Sequence, residues 1–142
     1  MDIEELDIKY TRIITGPLAV FDTFLGLFAL LMPLSYMALM HSPSATGGYF
    51  MLQRTGMIWL FFAATQWIAF CYPKRLSIFI PFVGLLRIMD VPADIVYYLT
   101  TSHTFYGEMI ILAPVLNAIV GGSLIYFWMN RDKTKVDDFS TQ

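Results

Sequence analysis

The sequence predicts an all-α polytopic membrane protein, an antiparallel four-transmembrane-helix bundle with short loops. Three observations carry that expectation. Hydrophobic residues make up 57% of the 142-residue chain. Four stretches stay apolar over the ~20 residues that a span requires. The connections between them are short, which implies antiparallel neighbours. The third stretch also holds Arg87, Asp90 and Asp94 inside its apolar run. A charged side chain at the centre of a spanning helix costs roughly 2.5–3.5 kcal/mol on insertion scales, so such residues persist where they pair, line a cavity or bind something.

The elements follow in order. Residues 1–12 set Ile3, Leu6 and Tyr10 against Asp2, Glu5 and Lys9, a spacing that suits a short amphipathic helix lying at the interface. The first span covers about 13–40 and exceeds the needed length, so tilt or a kink is expected. Pro33 is the natural place for the kink, because it removes a backbone hydrogen bond. A turn-rich loop follows at 41–48. The second span covers about 49–72 and stops at Pro73-Lys74-Arg75; the third covers about 76–99. After the polar residues Thr100 to Thr104, the fourth covers about 105–129, and a polar tail of disordered composition occupies 130–142.

Orientation follows from the basic residues. Lys9, Arg12, Lys74, Arg75, Arg131, Lys133 and Lys135 fall on one side, against Arg54 near the other. Both termini are therefore expected in the cytoplasm, with the bilayer a bacterial inner membrane. Tyr49, Phe50, Tyr97, Tyr98, Phe105 and Tyr106 then form an outer aromatic belt, and Tyr72, Tyr126 and Trp128 an inner one.

Helical periodicity places small and polar residues on single faces. On the first span these are Ala19, Asp22, Gly26, Ala29 and Pro33; on the second, Gly56, Ala63 and Gln66. The third presents Gly84, Arg87, Val91, Asp94 and Tyr98 with Asp90 adjoining, and the fourth Ala113, Asn117 and Gly121. Small residues let helices approach closely in lipid, so these faces should turn inward. With ~1.5 Å of rise per residue, Asp22 and Arg87 sit roughly 14–17 Å deep and Asn117 at a similar depth, forming one layer. Arg54, Asp94 and Glu108 lie about 3–8 Å from the outer boundary and form a second, with Asp90 between. Arg54 and Arg87 against Asp22, Asp90, Asp94 and Glu108 leave two negative charges in excess. Either carboxylates are protonated or a cation or cationic head group compensates, unless Glu108 reaches interfacial water.

Pro92 leaves two alternatives. A continuous helix would leave the Ile88 carbonyl without its usual partner; a break at Asp90-Val91-Pro92 would start a new half-helix, as in some ion sites. Other chemistry is poorly represented. Cys71, the single cysteine, allows neither an internal disulfide nor a redox pair. His41, His103 and Glu108 lack metal-ligand spacing, so no metal site is expected. No partner histidine serves a hydrolase triad within the membrane, and Gly47-Gly48 and Gly121-Gly122 read as a turn and a packing surface rather than a phosphate loop. No basic cluster suggests nucleic acid, and the acidic start Met1-Asp2-Ile3-Glu4-Glu5 is unlike a signal peptide.

Thr11-Arg12-Ile13-Ile14-Thr15-Gly16, Met32-Pro33, Arg54-Thr55-Gly56, Pro73-Lys74-Arg75, Arg87-Ile88-Met89-Asp90 and Glu108 run along most of the chain. Together they resemble the broad group of small bacterial four-helix membrane proteins related to DoxX. The resemblance implies the four-helix fold and, because some members accompany quinone-linked oxidoreductase complexes, a tilt toward redox partnership. It carries over no catalytic residue and no cofactor.

Three functions are compatible with the sequence. The leading one is a non-enzymatic membrane protein in which Asp22, Arg87, Asp90, Asp94 and Asn117 bind a proton, a cation or an amphiphile's polar head, a lipid or quinone included. The second is an accessory subunit of a larger membrane complex, the charges serving helix packing and assembly. The third is a membrane acid–base enzyme such as an isomerase, using Asp90 or Asp94. Topology is directly testable. Reporters fused at Met1 and after Gln142 should both read cytoplasmic, and one inserted at Gly48 external; a cytoplasmic signal at Gly48 would overturn the helix count or the orientation.

Overall fold

Glycine and alanine decide how these helices pair. The computed structural model describes residues 3–40, 49–100 and 108–130, and within them the chain is all helical, with no strand. The helices are α1 (Ile3–Leu31), α2 (Pro33–Met40), α3 (Tyr49–Cys71), α4 (Phe79–Thr100) and α5 (Leu112–Asn130), the last preceded by a 3-10 turn at Met109–Ile111. The expected loops at 41–48 and about 100–104, the tail, His41, His103 and the aromatic pair Phe105-Tyr106 fall wholly or mainly outside the described residues, as do the side chains of Tyr49 and Phe50.

Several boundaries differ from the sequence reading. The segment expected to lie apart at the interface is continuous with α1, which begins at Ile3 and carries Pro17 without a break. Pro33 does divide the first long helix, and α2 starts there. Helical bonds still cross the junction, from the Met32 N–H to the Phe28 carbonyl at 2.9 Å and from the Tyr36 N–H to the Met32 carbonyl at 3.0 Å. Gln53 of α3 reaches across to donate to the Leu30 carbonyl at 3.2 Å. α4 starts at Phe79 rather than near residue 76, because hydrogen-bonded turns occupy the intervening residues. It runs through Pro92 as one helix, so the chain does not break at Asp90-Val91-Pro92. In α5, Pro114 sits in the first turn, where a missing N–H has little consequence.

α1 packs along α3 and α4 along α5, giving two helical hairpins with fewer contacts between them. A glycine pair fixes each hairpin. A Cβ on Gly26 would lie 2.9 Å from the Gly56 carbonyl oxygen, and one on Gly56 would lie 2.8 Å from that of Gly26. In the other hairpin the corresponding distances are 2.8 Å for Gly84 against Gly121 and 2.6 Å for Gly121 against Gly84. Backbone touches backbone at both crossings, as in small-residue packing between membrane helices. Between the hairpins, Ala69, Ile80, Val83 and Leu124 form a buried apolar cluster, flanked by Ile14, Phe79 and Val120.

The usual distribution of polarity is reversed. Gln66, Asp22 and Arg87 are 1%, 2% and 5% exposed, whereas Leu31 and Leu99 are 71% and 75% exposed. Helix hydroxyls bond within their own helices: Thr15 to the Thr11 carbonyl at 2.8 Å, Thr23 to Ala19 at 2.6 Å and Thr65 to Phe62 at 2.7 Å. Two segments, Ile8–Leu31 and Leu112–Asn130, are long and apolar enough to cross a membrane. α3, with Gln53, Arg54 and Gln66, and α4, with three charged residues, fall short on composition.

The glycine contacts generate a paired prediction. Gly121→Ala should lower stability of the purified chain in mild detergent by about 1–3 kcal/mol, because backbone cannot yield as a side chain does. Gly122 meets nothing within 4 Å, so Gly122→Ala should leave the unfolding midpoint unchanged or raise it. Equal loss at both positions would mean that α4 and α5 do not cross at Gly121.

Candidate functional site

The inward stripe of α1 carries one carboxylate among small side chains. Thr11, Thr15, Ala19, Asp22, Gly26 and Ala29 are all buried, at steps of three or four residues. That pattern delivers Asp22 to the junction between the hairpins. There its Oδ2 accepts from Nη2 of Arg87, in a buried salt bridge, and from Nε2 of Gln66 at 2.8 Å. The Arg87 guanidinium carbon also stands 5.9 Å from the centroid of the Phe62 ring, within cation–π range.

Asn117 extends the arrangement. Its Oδ1 accepts from Nη1 of Arg87 at 3.3 Å, and its Nδ2 donates to Oδ2 of Asp94 at 2.9 Å. An amide suits this position because it offers an acceptor to the cation and a donor to the carboxylate. The result is one hydrogen-bonded chain, Gln66–Asp22–Arg87–Asn117–Asp94, with members from α1, α3, α4 and α5. Asp90 is half-buried beside it, within electrostatic reach of Asp94, Arg87 and Asp22. Two atoms of the chain, Oε1 of Gln66 and Nε of Arg87, are buried without a hydrogen-bond partner among the described residues.

The expected layer of Asp22, Arg87 and Asn117 is present. The expected outer layer is not assembled. Asp94 belongs to the inner chain through Asn117, although it lies two turns along α4 from Arg87, about 10 Å. The reach of the arginine and asparagine side chains closes that gap, which counting Cα heights does not capture. Glu108 is exposed and accepts from the Tyr98 hydroxyl at 2.8 Å. Arg54 is exposed, and no contact among the described residues joins it to Asp94 or Glu108. Among the described residues no three of His, Cys, Asp and Glu converge closely enough to hold a metal ion. Gln66 was legible as an inward residue but not as a partner of Asp22; a lone amide on an apolar inner face was the available signal. The Phe62 ring beneath the guanidinium had none.

Comparison with protein-family models, curated proteins and solved structures returns no match to the chain. The class therefore rests on the molecule itself: an all-helical protein with two helices able to cross a membrane and a charged hydrogen-bonded chain buried between its hairpins.

The Asp22–Arg87 contact can be tested directly. Arg87→Ala strands a buried carboxylate and should destabilise by about 3–5 kcal/mol in denaturant unfolding from detergent. Asp22→Asn combined with Arg87→Gln should recover part of that loss. A double variant as damaged as the sum of the singles would show that the pair contributes no coupling.

Proposed function

We propose that the chain is a non-enzymatic, four-span integral membrane protein whose buried polar chain takes up a positively charged guest, a proton or a cationic amphiphile head, at Asp90 and Asp94. The observation that carries the reading is the charge balance at the junction. Asp22, Asp90 and Asp94 stand against Arg87 alone; three negative charges and one positive leave −2 if all are ionised. Arg54 and Glu108, being exposed, drop out of that sum. An uncompensated double charge in low dielectric is strongly unfavourable, so protons or a cation restore the balance.

The four-span part draws on where the polar residues of α3 and α4 point. Their hydropathy is lowered by Gln66 and Arg87, which face inward, and by Asp90 and Asp94, which are half-buried. Their outer faces present Met57, Phe61, Met89 and Val96, each more than half exposed. Such a surface suits lipid, and large patches of this kind are rare on soluble monomers. Access from the outer side fits the position of the Ala69–Ile80–Val83–Leu124 cluster, which closes the polar chain toward the α3–α4 connection. Lys74 and Arg75 in that connection support reading it as the cytoplasmic end, and the bilayer as a bacterial inner membrane belongs to the same proposal.

A carboxylic-acid infrared band should be present in the purified chain at neutral pH and lost in Asp90→Asn or Asp94→Asn. Dodecylammonium should remove the same band and raise the unfolding free energy by about 2.7 kcal/mol at a hundredfold excess over its Kd. Full ionisation without added amphiphile, together with no stabilisation by dodecylammonium, would overturn the reading.

A further inference from the structure

At the end of the molecule where α3 passes into α4, remote from the polar chain, an open groove of about 420 Å³ is lined by Ile8, Lys9, Arg12, Ile13 and Phe70. We propose that this groove binds the head group of an anionic phospholipid, its phosphate held by Arg12 and Lys9 and its first methylenes lying against Ile13 and Phe70. The inference rests on the membrane part of the reading above.

Arg12 is already positioned. Its Nε donates to the Phe70 carbonyl at 3.1 Å, and its guanidinium carbon lies 6.0 Å from the centre of the Phe70 ring. That bond uses one nitrogen and leaves the two terminal ones, whose fork matches a pair of phosphate oxygens. A cation held in place loses less freedom on binding than a mobile one. The floor is equally fixed. The Phe70 ring is seated over Gly16, where a Cβ would lie 3.0 Å from the ring edge, and Trp67 packs against the ring edge-on. Lys9 precedes Arg12 by three residues and so shares its side of the helix.

Level and chemistry agree. The apolar segment of α1 begins at Ile8. Arg12 is then about 6 Å inside it, where phosphates give way to acyl chains. Ile13, 61% exposed, supplies apolar surface beside the cations. Among the described residues no carboxylate lines the groove, and the charges that do, Lys9 and Arg12, attract a phosphodiester. Its volume falls within the roughly 300–1,000 Å³ of small-molecule sites, enough for a head group and the start of its tails.

The test is native mass spectrometry of the full chain in mild detergent with equimolar phosphatidylglycerol and phosphatidylcholine of matched tails. Phosphatidylglycerol should be retained in preference. Lys9→Gln, which disturbs no contact with the Phe70 carbonyl, should reduce that preference about fivefold, and Lys9→Gln with Arg12→Gln should reduce it further. Arg75→Gln removes an equal charge from the same end outside the groove and should change nothing. Equal retention of both lipids, an Arg75→Gln effect as large as that of Lys9→Gln, or displacement by excess inorganic phosphate would each overturn the proposal. Failure of the membrane reading looks different: the chain would leave the membrane fraction on alkaline extraction.

Discussion

A carboxylate on α1 and a guanidinium on α4, both almost wholly buried, form the contact on which the relative placement of the two hairpins depends. Inside each hairpin, glycines bring backbones together and their close contact sets the spacing. Between hairpins the contacts are sparser, and a small apolar cluster resists sliding only weakly because apolar attraction has no direction. Hydrogen bonds to charged groups do have direction. Separating two such ions from each other inside a dry interior is costlier than separating either from an apolar neighbour, so the pair specifies one register. Gln66 and Asn117 make the arrangement tolerable by filling further positions on the two ions.

The same constraint explains why alanine is so prominent on the inner faces of α1 and α3. Ala19, Ala29, Ala63 and Ala69 are buried, while Phe24, Leu27 and Leu31 on the same α1 helix are exposed. Short side chains allow the close helix approach that lets Asp22 and Gln66 meet across α1 and α3 at 2.8 Å. Larger inward residues would hold the helices apart and strand both groups without partners. On the proposed four-span reading, the displaced bulk faces acyl chains, where it meets a medium as apolar as itself.

Much of this was legible in the sequence. The stripe from Ala19 to Ala29 and the shared depth of Asp22, Arg87 and Asn117 follow from helical period and rise, quantities that tertiary packing scarcely alters. Asp94 was misplaced because depth counting treats each residue as a point at its Cα, whereas arginine and asparagine together bridge two helical turns. Helix ends were harder still. Pro17, Pro33 and Pro92 carry identical chemistry, yet Pro33 alone divides a helix among them. The polar start of α1 invited a boundary near residue 12, but hydrogen bonding along a helix is indifferent to the polarity of its side chains, and neither proline nor a turn interrupts it there.

Asn117 has a consequence for how a guest at Asp94 would be felt elsewhere. Its amide donates to Asp94 and accepts from Arg87, so the two bonds share one side chain. A proton or ammonium group on the Asp94 carboxylate offsets its charge and weakens it as an acceptor for Nδ2. The amide would then be held less firmly, and with it the bond to Nη1 of Arg87. Arg87 is also bonded to Asp22, the tie between hairpins, and its Nε already lacks a partner among the described residues. On the proposed reading, occupancy at the outer end of the chain is therefore transmitted through three side chains to the contact that sets the hairpin register.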